Sequence, residues 1–387
     1  MLKVQPLSLY IHIPWCVQKC PYCDFNSHAF GKGKGQQDIP ETQYVQALIK
    51  DLDDDIKRFN LANRQLHTIF IGGGTPSLFS AEAIGDILNQ VKSRFIIDEA
   101  RFEVTLEANP GTVEADKFSG FAKAGVTRLS IGVQSFESDK LIKLGRIHDS
   151  NQAKRAAEFA HQAGIKSFNL DLMHGLPDQN LTNALDDLKT AIALNPDHIS
   201  WYQLTIEPNT AFHSKPPELP QDETLWSIQE EGVKLLEEAG YHQYEISAYA
   251  KNNKQCQHNL NYWRFGDYLG IGCGAHGKIT DDTSGKIYRT VKVKHPKGYL
   301  EEGRAALDHL NEVEHAELTF EFMMNQLRLK EPFTLSHFSQ STGLDSKALL
   351  TQLEKAQAQQ LVEKQGDSWQ VTAQGHRYLN ELLTQFL

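Results

Sequence analysis

Six times between residues 7 and 206 a short β-rich run gives way to a helical stretch, an alternation that confines the chain to a mostly parallel sheet covered by helices. The expected strands are Leu7 to Pro14, His67 to Ile71, Arg101 to Leu106, Arg128 to Val133, Ser167 to Asp171 and His198 to Ile206. Between them lie expected helices over Glu41 to Asn60, from Ser80 with Ala81, Ile84, Ile87, Leu88 and Val91 on one face, from Thr112 to near Gly125, from Ser150 to near Gly164, and over Leu181 to Leu194. Strand-helix units of about 30 to 40 residues each imply right-handed parallel crossovers. The sheet is then an incomplete barrel or a doubly wound layer. In a parallel barrel the carboxyl ends of the strands carry the active site. Tyr10, the loop after it, the Gly72-Gly73-Gly74-Thr75-Pro76 turn, Glu107, Gln134 and Asp171 are therefore expected on one rim.

The loop after the first strand holds Cys16, Cys20 and Cys23, spaced C-x3-C-x2-C. The chain has five cysteines, so three within one short loop are a concentration that asks for a cause. Three thiolates can hold an iron–sulfur cubane and leave one iron free of protein ligand. His12 or His28 as a fourth donor makes a closed zinc site instead, and spacing alone leaves both open. A disulfide framework is disfavoured, because the cysteines are few and odd in number and Met1 to Pro6 contains no apolar signal segment. The expectation is a cytoplasmic chain with reduced thiols.

A formal charge of −10 argues against broad nucleic-acid binding, which needs a basic footprint. No apolar run approaches membrane-spanning length, so no membrane anchor is expected. Gly31 to Gln37 reads as a solvated connector. The glycine triplet permits close backbone approach and exposed N–H groups, yet it is not a Walker loop, because no Gly-Lys-Ser/Thr follows. Glu107, Gln134, Arg146 and Asp171 suit the polar groups of a nucleoside or amino acid, and each alone also reads as a cap or surface ion pair.

Past Pro208 the texture changes. Lys215 to Pro220 reads as a linker, followed by a helix from Glu223 to Ala239. His258-Asn259-Leu260-Asn261-Tyr262-Trp263 combines an iron-binding imidazole with flat aromatic area, or is a polar loop running into core aromatics. Cys256 is an alternative thiolate nearby. Gly270 to Gly277 is so glycine-rich that its backbone must pass close to a strand or a ligand. From Glu312 the chain is mostly helical and ends with a hairpin over Leu361 to Thr372, a pattern like a winged helix. Six Lys and Arg against ten Asp and Glu in residues 312–387 favour packing or protein contact over DNA reading. The expected divisions are residues 1–212, 213–311 and 312–387.

Together these residues resemble the radical S-adenosylmethionine superfamily. The likeness runs through Tyr10 to Cys16, the C-x3-C-x2-C run, Gly72 to Pro76, Glu107, Gly132 to Ser135 and Asp171 to Pro177. Within it the chain is similar to the oxygen-independent coproporphyrinogen oxidase group, and most to its HemW haem-chaperone branch. The oxidases carry a further cysteine where this chain has Phe25, and the chaperones carry the H-N-x-x-Y-W signature found at His258 to Trp263. The resemblance implies an incomplete parallel (β/α)6 barrel with a C-terminal mainly helical, winged-helix-like domain. It implies a [4Fe–4S] cluster on Cys16, Cys20 and Cys23, and S-adenosylmethionine bound by Tyr10, Gly74, Thr75, Pro76, Glu107, Gln134, Arg146 and Asp171. It implies haem at His258, Asn259, Tyr262 and Trp263, and no nucleic-acid partner. The implied function is to carry haem to an acceptor apoprotein such as one of a respiratory complex, with homodimer formation and peripheral membrane contact as further expectations. The alternative it implies is radical decarboxylation of coproporphyrinogen.

Overall fold

The computed structural model describes residues 2–30, 39–111 and 117–387. The expected connector at Gly31 to Gln37 and the expected cap Thr112 lie outside the described residues. The six expected strands form: β1 (Leu7–Ile13), β2 (Leu66–Gly73), β3 (Glu103–Ala108), β4 (Arg128–Gln134), β5 (Ser167–His174) and β6 (His198–Gln203). They lie side by side in chain order, every neighbouring pair parallel. Helices Glu41–Arg58, Ala81–Lys92, Phe118–Ala124, Ser150–Gln162 and Leu181–Ala193 occur between them as expected. Ser80 caps the second by accepting a hydrogen bond from the Ala83 N–H, and Gly125 closes the third with φ +108°.

The sheet is wider than the sequence pattern implies. β7 (His242–Glu245) and β8 (Ala248–Ala250) add antiparallel strands beyond β6. β9 (Asp267–Ile271) pairs parallel with β1 on the side away from β2, making a seventh parallel strand. β10 (His276–Asp281), β11 (Lys286–Lys292) and β12 (Leu307–Glu312) continue antiparallel from it. The spatial order is β12-β11-β10-β9-β1-β2-β3-β4-β5-β6-β8-β7. Residues 213–311 thus supply both flanks of the sheet and are no mere connection. Helix Asp222–Glu238 likewise buries Ile228 and Leu236 in the same core as β1.

Side-chain alternation explains the layering. Leu7, Leu9, Ile11 and Ile13 of β1 are fully buried in the apolar core shared with the outer helices. The alternate residues Ser8, Tyr10 and His12 face the concave side. Many parallel barrels fill that side with branched apolar layers; this one lines it with buried polar groups, including Ser8, Thr68, Thr105, Ser130, Asn169 and His198. Most of them pair with one another: Thr68 Oγ1 donates to Ser8 Oγ at 2.8 Å, Asn169 Nδ2 to Ser130 Oγ at 2.8 Å, and Asn169 Oδ1 meets His198 Nδ1 at 2.6 Å, whereas Thr105 Oγ1 has no partner among the described residues. A polar barrel interior leaves room for a polar ligand.

The C-terminal part has its own core, built on Leu318, Phe322, Phe338, Leu353 and Trp369. Three helices (His315–Gln326, Leu335–Thr342, Ser346–Ala358) precede the hairpin Val362–Gln365 and Ser368–Val371, the winged-helix order expected. Among the described residues no helix is long and apolar enough to cross a membrane.

Candidate functional site

Leaving β1, the chain turns at Pro14 into the cysteine loop, whose course is fixed without help from the sulfurs. Trp15–Cys16 pairs with His28–Ala29, and the Phe30 N–H donates to Cys16 O at 2.8 Å. Lys19 Nζ donates to Phe25 O at 2.9 Å, His12 Nε2 to Asn26 O at 2.9 Å, and Asn26 Nδ2 to the carbonyls of Cys273 and Lys294 at 2.9 and 2.8 Å. Pro21 rests on Gly145, where φ is +66° and a Cβ would stand 2.8 Å from the proline ring. Cys16, Cys20 and Cys23 are free thiols and line one cavity of about 350 Å³. Burial pushes the Cys16 thiol up, while the Thr75 hydroxyl pulls it back. Arg146 Nη1 lies 3.7 Å from Cys20 Sγ.

The glycine triplet answers first to packing. Gly73 has φ +112°, and a Cβ there would sit 2.4 Å from the His12 ring; one at Gly74 would sit 2.5 Å from Trp15 O. Contrary to the expectation of exposed amides, the N–H groups of Gly74 and Thr75 donate to Ile13 O and Trp15 O at 2.7 and 2.8 Å. Gly73 N–H donates to Glu107 Oε2 at 3.0 Å. Gly73→Ala combines a left-handed backbone with a collision against a buried ring, so we expect a loss of about 3 kcal/mol in denaturant unfolding. An unchanged midpoint would show that β1 and β2 are not locked together here.

Glu107 and Asp171, from β3 and β5, line the same cavity with Thr75, Pro76, Gln134 and Arg146. Burial raises the Glu107 carboxyl to about 7, Asp171 adds to the rise, and the Gly73 N–H opposes it. Burial also raises Asp171, against hydrogen bonds from Ser130 Oγ at 2.9 Å and Asn169 Nδ2 at 2.8 Å. Gln134 stands at a register shift with φ +70° and accepts from the Tyr202 hydroxyl at 3.0 Å. Arg146 Nη2 donates to Gly132 O at 2.6 Å and to Asn109 Oδ1 at 2.8 Å, and Asn109 Nδ2 donates to Thr75 Oγ1 at 3.0 Å. Arg146 therefore braces the cysteine loop against β4 and the turn after β3. Asn109, Tyr202 and Ser130 were not singled out by the sequence pattern; only their places at strand ends or on the concave face mark them.

Tyr10 lines a second, larger cavity of about 890 Å³ that meets the first along Lys19, Phe25 and Ser27. Its walls include Tyr262, Trp263, Phe265 and Tyr268, with His12, His28 and His276 among the polar groups. Phe25 is 62% exposed and borders both cavities. The signature residues divide. They form a helix, Gln257–Trp263, whose first N–H groups are held by the Glu103 carboxylate. Tyr262 and Trp263 reach the cavity wall, whereas His258 and Asn259 do not line it. His258 is fully buried and held at both ring nitrogens, Nδ1 by Thr68 Oγ1 and Nε2 by the Tyr262 hydroxyl, each at 2.8 Å.

A model of the radical SAM superfamily matches residues 10–190, and one of the HemN C-terminal domain matches residues 313–378. The chain is 56% identical to the heme chaperone HemW of Haemophilus influenzae, over 100% of this chain and 99% of that one. It is 56% identical to the heme chaperone HemW of Escherichia coli over the whole of both chains, and 34% identical to that of Bacillus subtilis over 98% of this chain and 99% of that one. Among solved structures, the coproporphyrinogen III oxidase HemN from Escherichia coli matches with a TM-score of 0.80, covering 99% of this chain and 90% of that one at 23% identity. At that identity the match is a likeness of fold.

Proposed function

This chain belongs to the radical SAM superfamily and, within it, to the HemW haem chaperones, and from that premise we propose that it binds haem and hands it to an acceptor protein, with a [4Fe–4S] cluster and S-adenosylmethionine held beside the haem. The observation that carries the reading is the pair of adjoining cavities, one ringed by three free thiols and two half-buried carboxylates, the other walled by aromatic rings. The larger, at about 890 Å³, falls within the ~300–1,000 Å³ typical of cofactor sites.

The residues of the smaller cavity suit its proposed contents. No three His, Cys, Asp or Glu side chains among the described residues are gathered for a single ion. Sulfurs spread around a cavity suit a cluster of several irons better than a tetrahedral zinc. When bound, the cluster supplies a redox-active iron with one position open to S-adenosylmethionine. Around it Glu107 accepts from the ligand's ammonium, Asp171 and Gln134 from ribose hydroxyls, and Gly74, Thr75 and Pro76 shape the edge. Arg146 holds the loop, and Tyr10 stands in the wall of the adjoining larger cavity. In the larger cavity Tyr262 and Trp263 supply flat area for the macrocycle. His258 serves there by fixing Tyr262, with Asn259 on the same short helix. The acceptor is proposed to be a haem protein of a respiratory complex, and a homodimer the working assembly.

Glu107 gives this proposal a pH signature. An ammonium prefers the ionised carboxylate, and burial keeps Glu107 protonated up to about 7. S-Adenosylmethionine affinity should therefore rise with pH, by about tenfold from pH 6 to pH 8 for a group titrating midway. Glu107→Gln should bind weakly and flatten the profile; an unchanged slope would remove Glu107 from the ligand's contacts. The function itself is tested by anaerobic haem titration followed by visible absorption, then by adding an apo haem protein. Stoichiometric uptake and transfer are expected. Failure of the purified protein to take up haem would end the proposal.

A further inference from the structure

Gly270 to Gly277 contributes to neither proposed ligand set, and its geometry points at one side chain. A Cβ on Gly270 would stand 1.9 Å from His276 O, one on Gly272 2.4 Å from His12 O, and one on Gly274 2.3 Å from Asn26 Nδ2. Gly272 and Gly274 also have φ of +98° and +72°. The glycines thus press this turn against β1 and the cysteine loop, and Ala275 N donates to Gly272 O at 3.0 Å to tighten it. The turn presents His276, at the start of β10, to the larger cavity.

His276 differs from the other histidines there. Its side chain is exposed, and among the described residues neither ring nitrogen makes a hydrogen bond. His12 is buried with both nitrogens engaged, to the Tyr10 hydroxyl and Asn26 O. His28 keeps its Nε2 buried and packs its ring 5.2 Å from that of His295. His258 is buried and doubly bonded. Partial desolvation, then the charges of Lys294 and Arg289, lower the His276 imidazole below its usual range. Of the two cations, Arg289 is committed to Tyr268 and Glu321, whereas the Lys294 ammonium is exposed and makes no hydrogen bond among the described residues.

We propose that His276 is the protein's nitrogen ligand to haem iron in the larger cavity, with Lys294 receiving a propionate. The proposal rests on the haem-carrying reading and deepens it. Imidazole ligation needs an accessible lone pair over an open space wide enough for the macrocycle, and His276 combines both. His258 then acts as a positioning residue, through Tyr262.

The test is anaerobic haemin titration of the full chain, wild type beside His276→Ala and His258→Phe, read by the Soret band and by electron paramagnetic resonance. His276→Ala should lose the imidazole-ligated spectrum and bind haem at least tenfold more weakly, and added free imidazole should restore the band. Lys294→Glu should weaken binding severalfold without changing the ligation spectrum. His258→Phe should keep nitrogen ligation, with affinity lowered through a displaced Tyr262. Equal iron and sulfide content in each variant verifies folding. A His276→Ala protein with unaltered spectrum and affinity overturns the ligand assignment and leaves the haem-carrying reading standing. Absence of haem uptake by wild type overturns both.

Discussion

Cys20→Ala is expected to yield a folded protein that retains no iron–sulfur cluster after anaerobic reconstitution. The loop's shape does not depend on the sulfur. It is tied by Lys19 to Phe25 O, by His12 and Asn26 to backbone carbonyls, and by the seat of Pro21 on Gly145. Removing one thiol therefore deletes a ligand and leaves the scaffold. A cubane with three protein thiolates has no spare thiol to replace one, since Cys256 and Cys273 are buried beside Glu103 and Lys294 O. Iron and acid-labile sulfide should fall to about a tenth of wild type or less, with the broad visible absorption lost. The Arg146 guanidinium, left without its sulfur partner, keeps Gly132 O and Asn109, so the melting temperature should move little. Haem uptake in the neighbouring cavity should persist, since its aromatic wall comes from other segments. Full cluster content in Cys20→Ala would refute the three-thiolate assignment; zinc in its place in the wild-type protein would refute the cluster.

Much of the barrel was legible because its strands are bounded by punctuation and followed by amphipathic helices. Gly72 to Gly74, Asn109-Pro110, Gly125, Gly164 and Gly175 all mark real ends of strands or helices. The seventh parallel strand was not legible. Asp267–Ile271 is five residues long and interrupted by glycine, and its partner β1 lies more than 250 residues away in the chain. Local pattern carries no information about such a pairing. The two flanks escaped for the same reason, as the strand β12 shows: its pattern is nearly all exposed, so it has no alternation to read.

The site was legible where chemistry is concentrated in sequence, as in the cysteines and the strand-end residues Glu107, Gln134 and Asp171, which do gather in one cavity. It was less so where function depends on which of two adjoining spaces a side chain enters. Tyr10 sits on the right strand but lines the larger cavity, its hydroxyl on His12. His258 and Tyr262 stand four apart on one helix face and therefore bond each other, with the histidine also tied to Thr68 and only the tyrosine reaching the wall. A run read as a loop gives no such direction. Asn109 and Tyr202 were missed because each is a common polar residue whose meaning comes from a partner on another strand.

The largest stability effect is expected from Lys292→Met. The Lys292 ammonium, on β11, is fully buried and bonds Asp51 Oδ1 at 2.5 Å and Asp55 Oδ2 at 2.7 Å. Both carboxylates come from helix Glu41–Arg58 and are themselves almost wholly buried. Methionine fills similar space but strands two negative charges; Arg58 reaches only Asp55. Breaking such a buried pair costs about 3–5 kcal/mol, read as a large drop in the denaturant midpoint. The sign with pH follows. Burial already raises the Asp55 carboxyl, and Lys292 opposes that rise. Without the lysine the folded-state value of Asp55 climbs further, so the variant's deficit should shrink as pH falls and Asp55 takes a proton, and grow toward neutrality. Lys292→Met combined with Asp51→Asn and Asp55→Asn should recover much of the loss and flatten the pH dependence. The network also reaches toward the larger cavity. Asp51 Oδ2 accepts from Gly272 N at 3.1 Å and from the Tyr299 hydroxyl at 2.8 Å, and Gly272 begins the turn that presents His276. A loosened Asp51 should therefore weaken haem binding in the single variant at denaturant-free conditions where it remains folded. Equal stability of Lys292→Met and wild type at neutral pH would mean that water or a rearranged side chain neutralises these carboxylates, and the coupling to His276 would lose its physical basis.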